Sequence, residues 1–251
     1  MIPHLDISTT HLVLALVGAC IMGFAKTGLP GLALINVIIM AQMFGKESIG
    51  IVLPLLIVCD LVIYPLYRRY ASWKLVWPLL PATLVGILAG WWILEWVGAE
   101  DTLMKRIIGW TIVAMLVLQL LKARSQQLLE KMPDTIGFLI GSSFVIGVST
   151  TVANAAGPAY SIWGLIRKLS KEDFLGIAAR YFLIVNLFKL PFFWQQNVVS
   201  ERTLLIDLAL LPSVIVGIIV GRLIILRLPQ QSFEWILFGL SAAGAIWLIA
   251  F

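Results

Sequence analysis

The chain has 251 residues, of which 61% are hydrophobic and only 12% charged. Soluble domains sit nearer roughly half apolar and a quarter charged, so a single soluble core is excluded and lipid must be the solvent for much of this surface. The net charge of +5 is read as basic cytoplasmic loops rather than as a nucleic-acid surface.

Backbone facing lipid must satisfy its own hydrogen bonds, which leaves helices or a closed barrel. Barrel strands alternate apolar and polar residues with a period of two. Stretches such as 107–121 and 236–251 are instead apolar on all sides, so the chain is read as all-α and polytopic. A helix needs about 20 residues to cross a bilayer core. The N-terminal MIPHLDISTTH lacks a positive n-region, so no cleavable signal peptide is expected. In chain order, ten apolar segments are predicted at about 9–25, 29–44, 48–67, 75–97, 104–121, 135–151, 157–167, 173–194, 203–226 and 232–250. Cys20 and Cys59 lie in apolar runs and read as small buried hydrophobes. His4 and His11 fall at the N-terminal edge. With two cysteines and two histidines in all, neither a metal site nor a cofactor is expected.

Segments one and two are divided by Ala25-Lys26-Thr27-Gly28-Leu29-Pro30-Gly31. Segments six and seven are divided by Thr150-Thr151-Val152-Ala153-Asn154-Ala155-Ala156-Gly157-Pro158. Proline removes a helical hydrogen bond and glycine loosens the backbone. Both places are therefore read as breaks, either between two short crossings or at the tip of a re-entrant hairpin. Asp60 sits in the middle of the third segment. The one long polar stretch, 122–134, reads as a cytoplasmic linker between a first transmembrane repeat, 1–125, and a second, 126–251.

Basic residues set the expected sidedness. Arg68, Arg69, Lys74, Lys122, Arg124, Lys131, Arg167, Lys168, Lys171, Arg222 and Arg227 gather on one side, against Lys46, Lys105, Arg106 and Arg202 on the other. The positive-inside rule then puts both termini outside, in the periplasm if this is a Gram-negative inner membrane.

The halves match. Leu80-Pro81, Val85-Gly86-Ile87 and Gly90 recur as Leu211-Pro212, Val216-Gly217-Ile218 and Gly221. The stretch from Ile57 through Asp60 to Pro65 parallels that from Leu183 through Asn186 to Pro191, and the two breaks also correspond. Five segments per half is an odd number, so the second half enters the membrane from the opposite side. Inverted repeats with interrupted helices place a transporter's site near the midplane where the breaks meet.

The chemistry at the breaks suits an anion. Lys26, Thr27, Gly28 and Gly31 occupy the first, and Ser149, Thr150, Thr151, Asn154 and Gly157 the second. Interrupted helices expose backbone N–H groups, and hydroxyls, an amide and an ammonium complete an oxyanion-binding set. Small residues in such places also serve close helix packing. Further ionisable groups fall within spans, where charge is costly and marks function by default. Asp60 is read as pairing with a base, Lys26 among them, or as carrying a coupling proton. Arg180 and Asn186 join the candidate site from the eighth segment, with snorkelling to the cytoplasmic end the alternative for Arg180. Lys189 either snorkels outward or is functional. Glu95 and Asp207 are expected at the interface, and Trp163 either packs or lines the site.

Gly23-Phe24-Ala25-Lys26-Thr27-Gly28-Leu29-Pro30-Gly31 resembles the first motif of the TauE/SafE family of sulfite and organosulfur anion exporters. The second break and Phe182-Leu183-Ile184-Val185-Asn186-Leu187-Phe188-Lys189-Leu190-Pro191 look like its counterparts. The resemblance covers nearly the whole chain. It implies transport of sulfite, of sulfonates such as sulfoacetate, or of related small anions across the bacterial inner membrane, with export by proton-linked exchange. Two departures stand out: many relatives carry a run of glycines in the first motif, and many carry an aromatic residue where this chain has Arg180.

An intramembrane enzyme is disfavoured, because no HExxH, no Gly-x-Ser-x-Gly and no membrane-embedded His–Asp pair is present. No Walker motif supports an ATP-driven pump. A passive small-anion channel, or a carrier of another carboxylate or oxyanion, remains the rival to a secondary transporter. The expected partners are a small anion and the bilayer, with monomer and homodimer both open.

Overall fold

The computed structural model describes residues 8–27, 30–70, 72–98, 100–224 and 241–250, which form helices and connecting turns with no strand among them. Helix α1 (Thr9–Ala25) opens on Ser8, whose hydroxyl accepts the His11 N–H. A 3-10 turn, Pro30–Leu32, leads into α2 (Ala33–Phe44). After it come α3 (Glu47–Tyr67), the short α4 (Trp73–Val76), α5 (Leu80–Val97) and α6 (Asp101–Arg124). The second half runs through α7 (Gln126–Leu129), α8 (Ile136–Ala153), α9 (Gly157–Ile166), α10 (Lys171–Gln195), α11 (Glu201–Ile224) and α12 (Ser241–Ala250).

Among the described residues, six helices are long and apolar enough to cross a membrane: Glu47–Tyr67, Trp73–Val97, Asp101–Arg124, Ile136–Ala153, Glu172–Gln195 and Glu201–Leu223. The other apolar stretches are shorter. Helices α2 and α9 have 12 and 10 residues, so at about 1.5 Å per residue they fall well short of a core about 30 Å thick. The polar linker is more ordered than the sequence suggests. Helix α6 runs on to Arg124, and α7 takes up 126–129, where Gln126 bonds Glu130 one turn on. Part of the tenth predicted segment, 232–240, lies outside the described residues, as does His4.

Two seams hold the bundle together, each joining one half to the other. Helix α1 packs on α11, and α5 packs on α8. A methyl group at Gly23 would overlap the Val214 carbonyl, one at Gly217 the Cys20 carbonyl, and one at Gly221 would press on Phe24 and Thr27. In the other seam a methyl at Gly147 would overlap the Thr83 carbonyl, one at Gly86 the Phe144 carbonyl, and one at Gly90 would press on Thr151 and the Val148 carbonyl. Such backbone contact is how small residues bring helices together where lipid offers no hydrophobic drive. Helix α3 packs on α10 between the seams, and so carries Asp60 against Asn186. Trp77, Trp92, Trp96 and Trp194 are exposed, as in an interfacial aromatic belt.

Candidate functional site

The first break begins where α1 stops. Lys26 caps the helix, its N–H returning to Met22 O. The Thr27 hydroxyl turns back to Phe24 O at 2.7 Å, so it serves its own helix. Gly31 lies against α6, where an added methyl would come within 2.7 Å of the Gln119 amide nitrogen. Gly28 lies outside the described residues. The Lys26 side chain reaches α3, with Nζ 2.5 Å from Asp60 Oδ1 and 5.2 Å from the centre of the Phe182 ring. Asp60 is 1% exposed. Its second oxygen accepts the Asn186 amide at 3.1 Å. Three predicted residues from three helices thus meet, and the base that Asp60 contacts is Lys26.

The second break is built differently. Helix α8 ends at Asn154 in the left-handed conformation, φ 50°, which asparagine tolerates better than most residues. Gly157 and Pro158 then start α9, where a proline's missing N–H goes unneeded. Ser149 and Thr151 donate to Val145 O and Gly147 O on their own helix at 2.7 and 2.9 Å. What faces inward is Thr150 and Asn154. The Lys189 ammonium donates to Thr150 O at 2.9 Å, to Thr150 Oγ1 at 3.1 Å and to Asn154 Oδ1 at 2.9 Å. Asn154 in turn donates to Ile49 O at 3.1 Å, tying the break to the first turn of α3.

Lys189 is 0% exposed and does not snorkel. Its three acceptors match the three N–H groups of an ammonium, and every one of them is uncharged. This is the main residue that sequence reasoning left undecided. The available signal was its place one turn beyond Asn186, on the segment that parallels Asp60.

Arg180 stands apart from both breaks. It lies nine positions before Lys189, about 13 Å along α10. Its guanidinium donates to Arg68 O at 2.6 Å and sits 5.6 and 5.0 Å from the Tyr64 and Trp73 rings. Asp207, expected at the interface, is instead buried at 6% exposure, and neither carboxyl oxygen has a hydrogen-bond partner among the described residues. It sits on the face of α11 shared with Thr203, Ile206 and Leu210, which turns inward. Glu95 is exposed as expected. Trp163 is fully buried beside Tyr160, with no acceptor for its indole N–H among the described residues.

At one end of the bundle a pocket of about 520 Å³ collects Lys46, Lys105 and Arg202 together with Glu47 and Asp101. Arg202 bonds both Glu47 oxygens at 2.9 and 2.6 Å. Lys46 Nζ donates to Gly98 O at 2.5 Å. Burial holds the Lys46 ammonium below its usual range, against upward pulls from Glu95 and Asp101.

Residues 12–248 match the family described as Sulfite exporter TauE/SafE. The chain belongs to the TauE/SafE family. No curated protein and no solved structure matches it. Membership in TauE/SafE makes this a membrane transport protein rather than an enzyme, and it agrees with the apolar helices in marking an integral membrane protein. Both breaks, Asp60 and Lys189 fall inside the TauE/SafE match. Among the described residues no group of His, Cys, Asp and Glu could hold a metal ion.

Proposed function

We propose that the protein is a secondary transporter that moves a sulfur oxyanion, sulfite or a sulfonate such as sulfoacetate, past the two breaks by alternating access. The observation that carries this reading is the pair of ammonium groups, one at each break, Lys26 part-buried and Lys189 fully buried. Lys26 is matched by Asp60, but Lys189 meets only neutral acceptors, so with both lysines protonated the set carries one positive charge in excess. A cation in a dry interior is stabilised by whatever anion can reach it. A small oxyanion is the ligand such a set favours. Lys26, Thr150, Asn154, Asn186 and Lys189 are the groups assigned to hold it, with Gly31 and Gly157 shaping the backbone at the breaks. Thr27, Ser149 and Thr151 stabilise the broken helix ends, and Arg180 stands at the α3–α4 corner, away from both breaks.

The inverted-repeat reading, with halves 1–125 and 126–251, is supported by the two seams. Cys20, Gly23 and Thr27 against Gly217, Val214 and Gly221 repeat position by position as Phe144, Gly147 and Thr151 against Gly86, Thr83 and Gly90. The sidedness reading puts Lys46, Lys105 and Arg202 on one side, and that grouping is supported by the pocket that gathers them at one end. Asp60 is the candidate proton carrier. The groups facing it are Lys26 from α1 and Asn186 from α10, with Lys189 one turn further along.

Calorimetric titration of the purified protein with sulfite, sulfoacetate, taurine and sulfate tests the assignment. Sulfite or a sulfonate is expected to bind, and Lys26→Ala to weaken it by about tenfold or more, as loss of a charge-assisted contact does. If none of the four binds, the substrate assignment fails.

A further inference from the structure

On the reading above, the first break lies on the anion path, yet its ammonium is already occupied. Lys26 Nζ is 2.5 Å from one Asp60 oxygen, and the Asn186 amide is 3.1 Å from the other. These are the contacts an oxyanion would take there. A carboxylate and the head of a sulfonate look alike to such donors: one negative charge spread over adjacent oxygens on a common centre.

Three observations argue that this pair does more than neutralise a buried lysine. The Lys26 side chain is 19% exposed and Asp60 only 2%, so the ammonium is the partner that an incoming solute can reach. Lys26 sits at the end of an interrupted helix, not within one. The position that parallels Asp60 in the other half is Asn186, an amide that touches the same carboxylate. Packing between α3 and α10 therefore accepts an uncharged side chain of the same shape, and the charge at 60 answers to Lys26.

We propose that Asp60 is a tethered counter-anion. It occupies the Lys26 ammonium while the site is empty, the transported oxyanion binds by displacing it, and its retained charge selects an oxyanion centre with a single negative charge, such as a sulfonate head or hydrogensulfite. With both lysines protonated, Lys26, Asp60 and Lys189 together leave one positive charge in excess, which one negative charge on that centre completes. A doubly charged centre such as sulfate overshoots that balance and is rejected by the displaced carboxylate. Neutralising position 60 relieves both effects. The proposal rests on the transport reading for the location of the path, and adds what decides occupancy and charge selection there.

The experiment is calorimetric titration of the purified full-length chain with methanesulfonate, a fixed monoanion, and with sulfate. Asp60→Asn is expected to bind methanesulfonate about tenfold more tightly, within the range of ordinary site-to-site couplings, and to gain binding of sulfate. Lys26→Gln combined with Asp60→Asn is expected to lose both gains. A purely structural pair gives the opposite sign. If Asp60→Asn unfolds at the parent's temperature without anion but binds equally or more weakly, the proposal is overturned and the transport reading stands. If neither parent nor variant binds either anion, the proposal is overturned, and the titration with sulfite and sulfoacetate decides the transport reading separately. Binding by Asp60→Asn alone supports the proposal, since the tethered anion is then what masks the site. Should Asp60→Asn not fold, Asn186→Asp, which adds a second carboxylate to the same donors, is expected to weaken methanesulfonate about tenfold. Unchanged affinity there overturns the proposal.

Discussion

Lys189 concentrates the residue-scale argument. Its ammonium satisfies a backbone carbonyl, a hydroxyl and an amide oxygen at the end of α8, so it both shapes the second break and supplies its charge. Lys189→Met leaves Thr150 O and Asn154 Oδ1 without that donor, which costs about 1–3 kcal/mol in a buried place. The variant is expected to unfold at lower temperature in detergent and to bind sulfite at least about tenfold more weakly. Lys189→Arg is not expected to rescue binding, because a planar guanidinium cannot point its donors at three acceptors grouped around a compact ammonium. Unaltered anion affinity in Lys189→Met would remove Lys189 from the site. The sequence made Lys26 and Asp60 legible because charge inside a long apolar run has few explanations. It left Lys189 ambiguous because a lysine near a span end can reach water or fold inward, and only its neighbours decide. The same limit hid Asp207 in its seam and Arg180 among Tyr64 and Trp73.

Helices and their breaks were read from length and punctuation, and those signals are local. Apolar length fixes a helix's extent even where proline falls inside it, so the third predicted segment at 48–67 corresponds to Glu47–Tyr67, which contains Pro54 and Pro65, and the eighth at 173–194 to Lys171–Gln195, which contains Pro191. Which helix packs on which is not local. The seams α1–α11 and α5–α8 link residues far apart in the chain, and a glycine does not announce its partner. The seams yield a matched test. Gly23→Ala and Gly147→Ala each push a methyl into a backbone carbonyl across the seam, where neither side can yield cheaply, and each is expected to destabilise by about 1–3 kcal/mol. Gly141→Ala, on α8 but with nothing within 4 Å of the added methyl, is expected to be neutral or up to about 1 kcal/mol stabilising, because alanine favours helix. Thermal unfolding of the three variants reads all of this. Equal behaviour of Gly141→Ala and Gly23→Ala would show that the seams do not hold the bundle.

At the scale of the whole molecule the open issue is whether the anion passes through a carrier or a channel. At the end with the 520 Å³ pocket, three connections are tied together. Glu47 at the start of α3 holds Arg202 at the start of α11, and Lys46 holds Gly98 beyond α5. Directly beneath, a methyl at Gly50 would overlap the Val198 carbonyl, and the Ile49 carbonyl takes Asn154 from the second break. Here α3 meets the turn at Val198 backbone to backbone, which on the proposed path closes this end. A carrier must part α3 from α11 here once per cycle, breaking an exposed ion pair that is worth little by itself, about 0–1 kcal/mol. Interrupted helices placed beside the closure suit such rocking of one half against the other. Placing cysteines at 47 and 202, with Cys20 and Cys59 replaced, and joining them with a short cleavable thiol reagent fixes this end closed. Sulfite flux into proteoliposomes is then expected to fall to a small fraction of that of the unlinked protein and to recover when the linker is cut. Saturable counterflow before linking is the companion expectation. Undiminished flux through the linked protein, or large unitary currents from it, would mean that this end need not open and that the path lies elsewhere as a fixed pore.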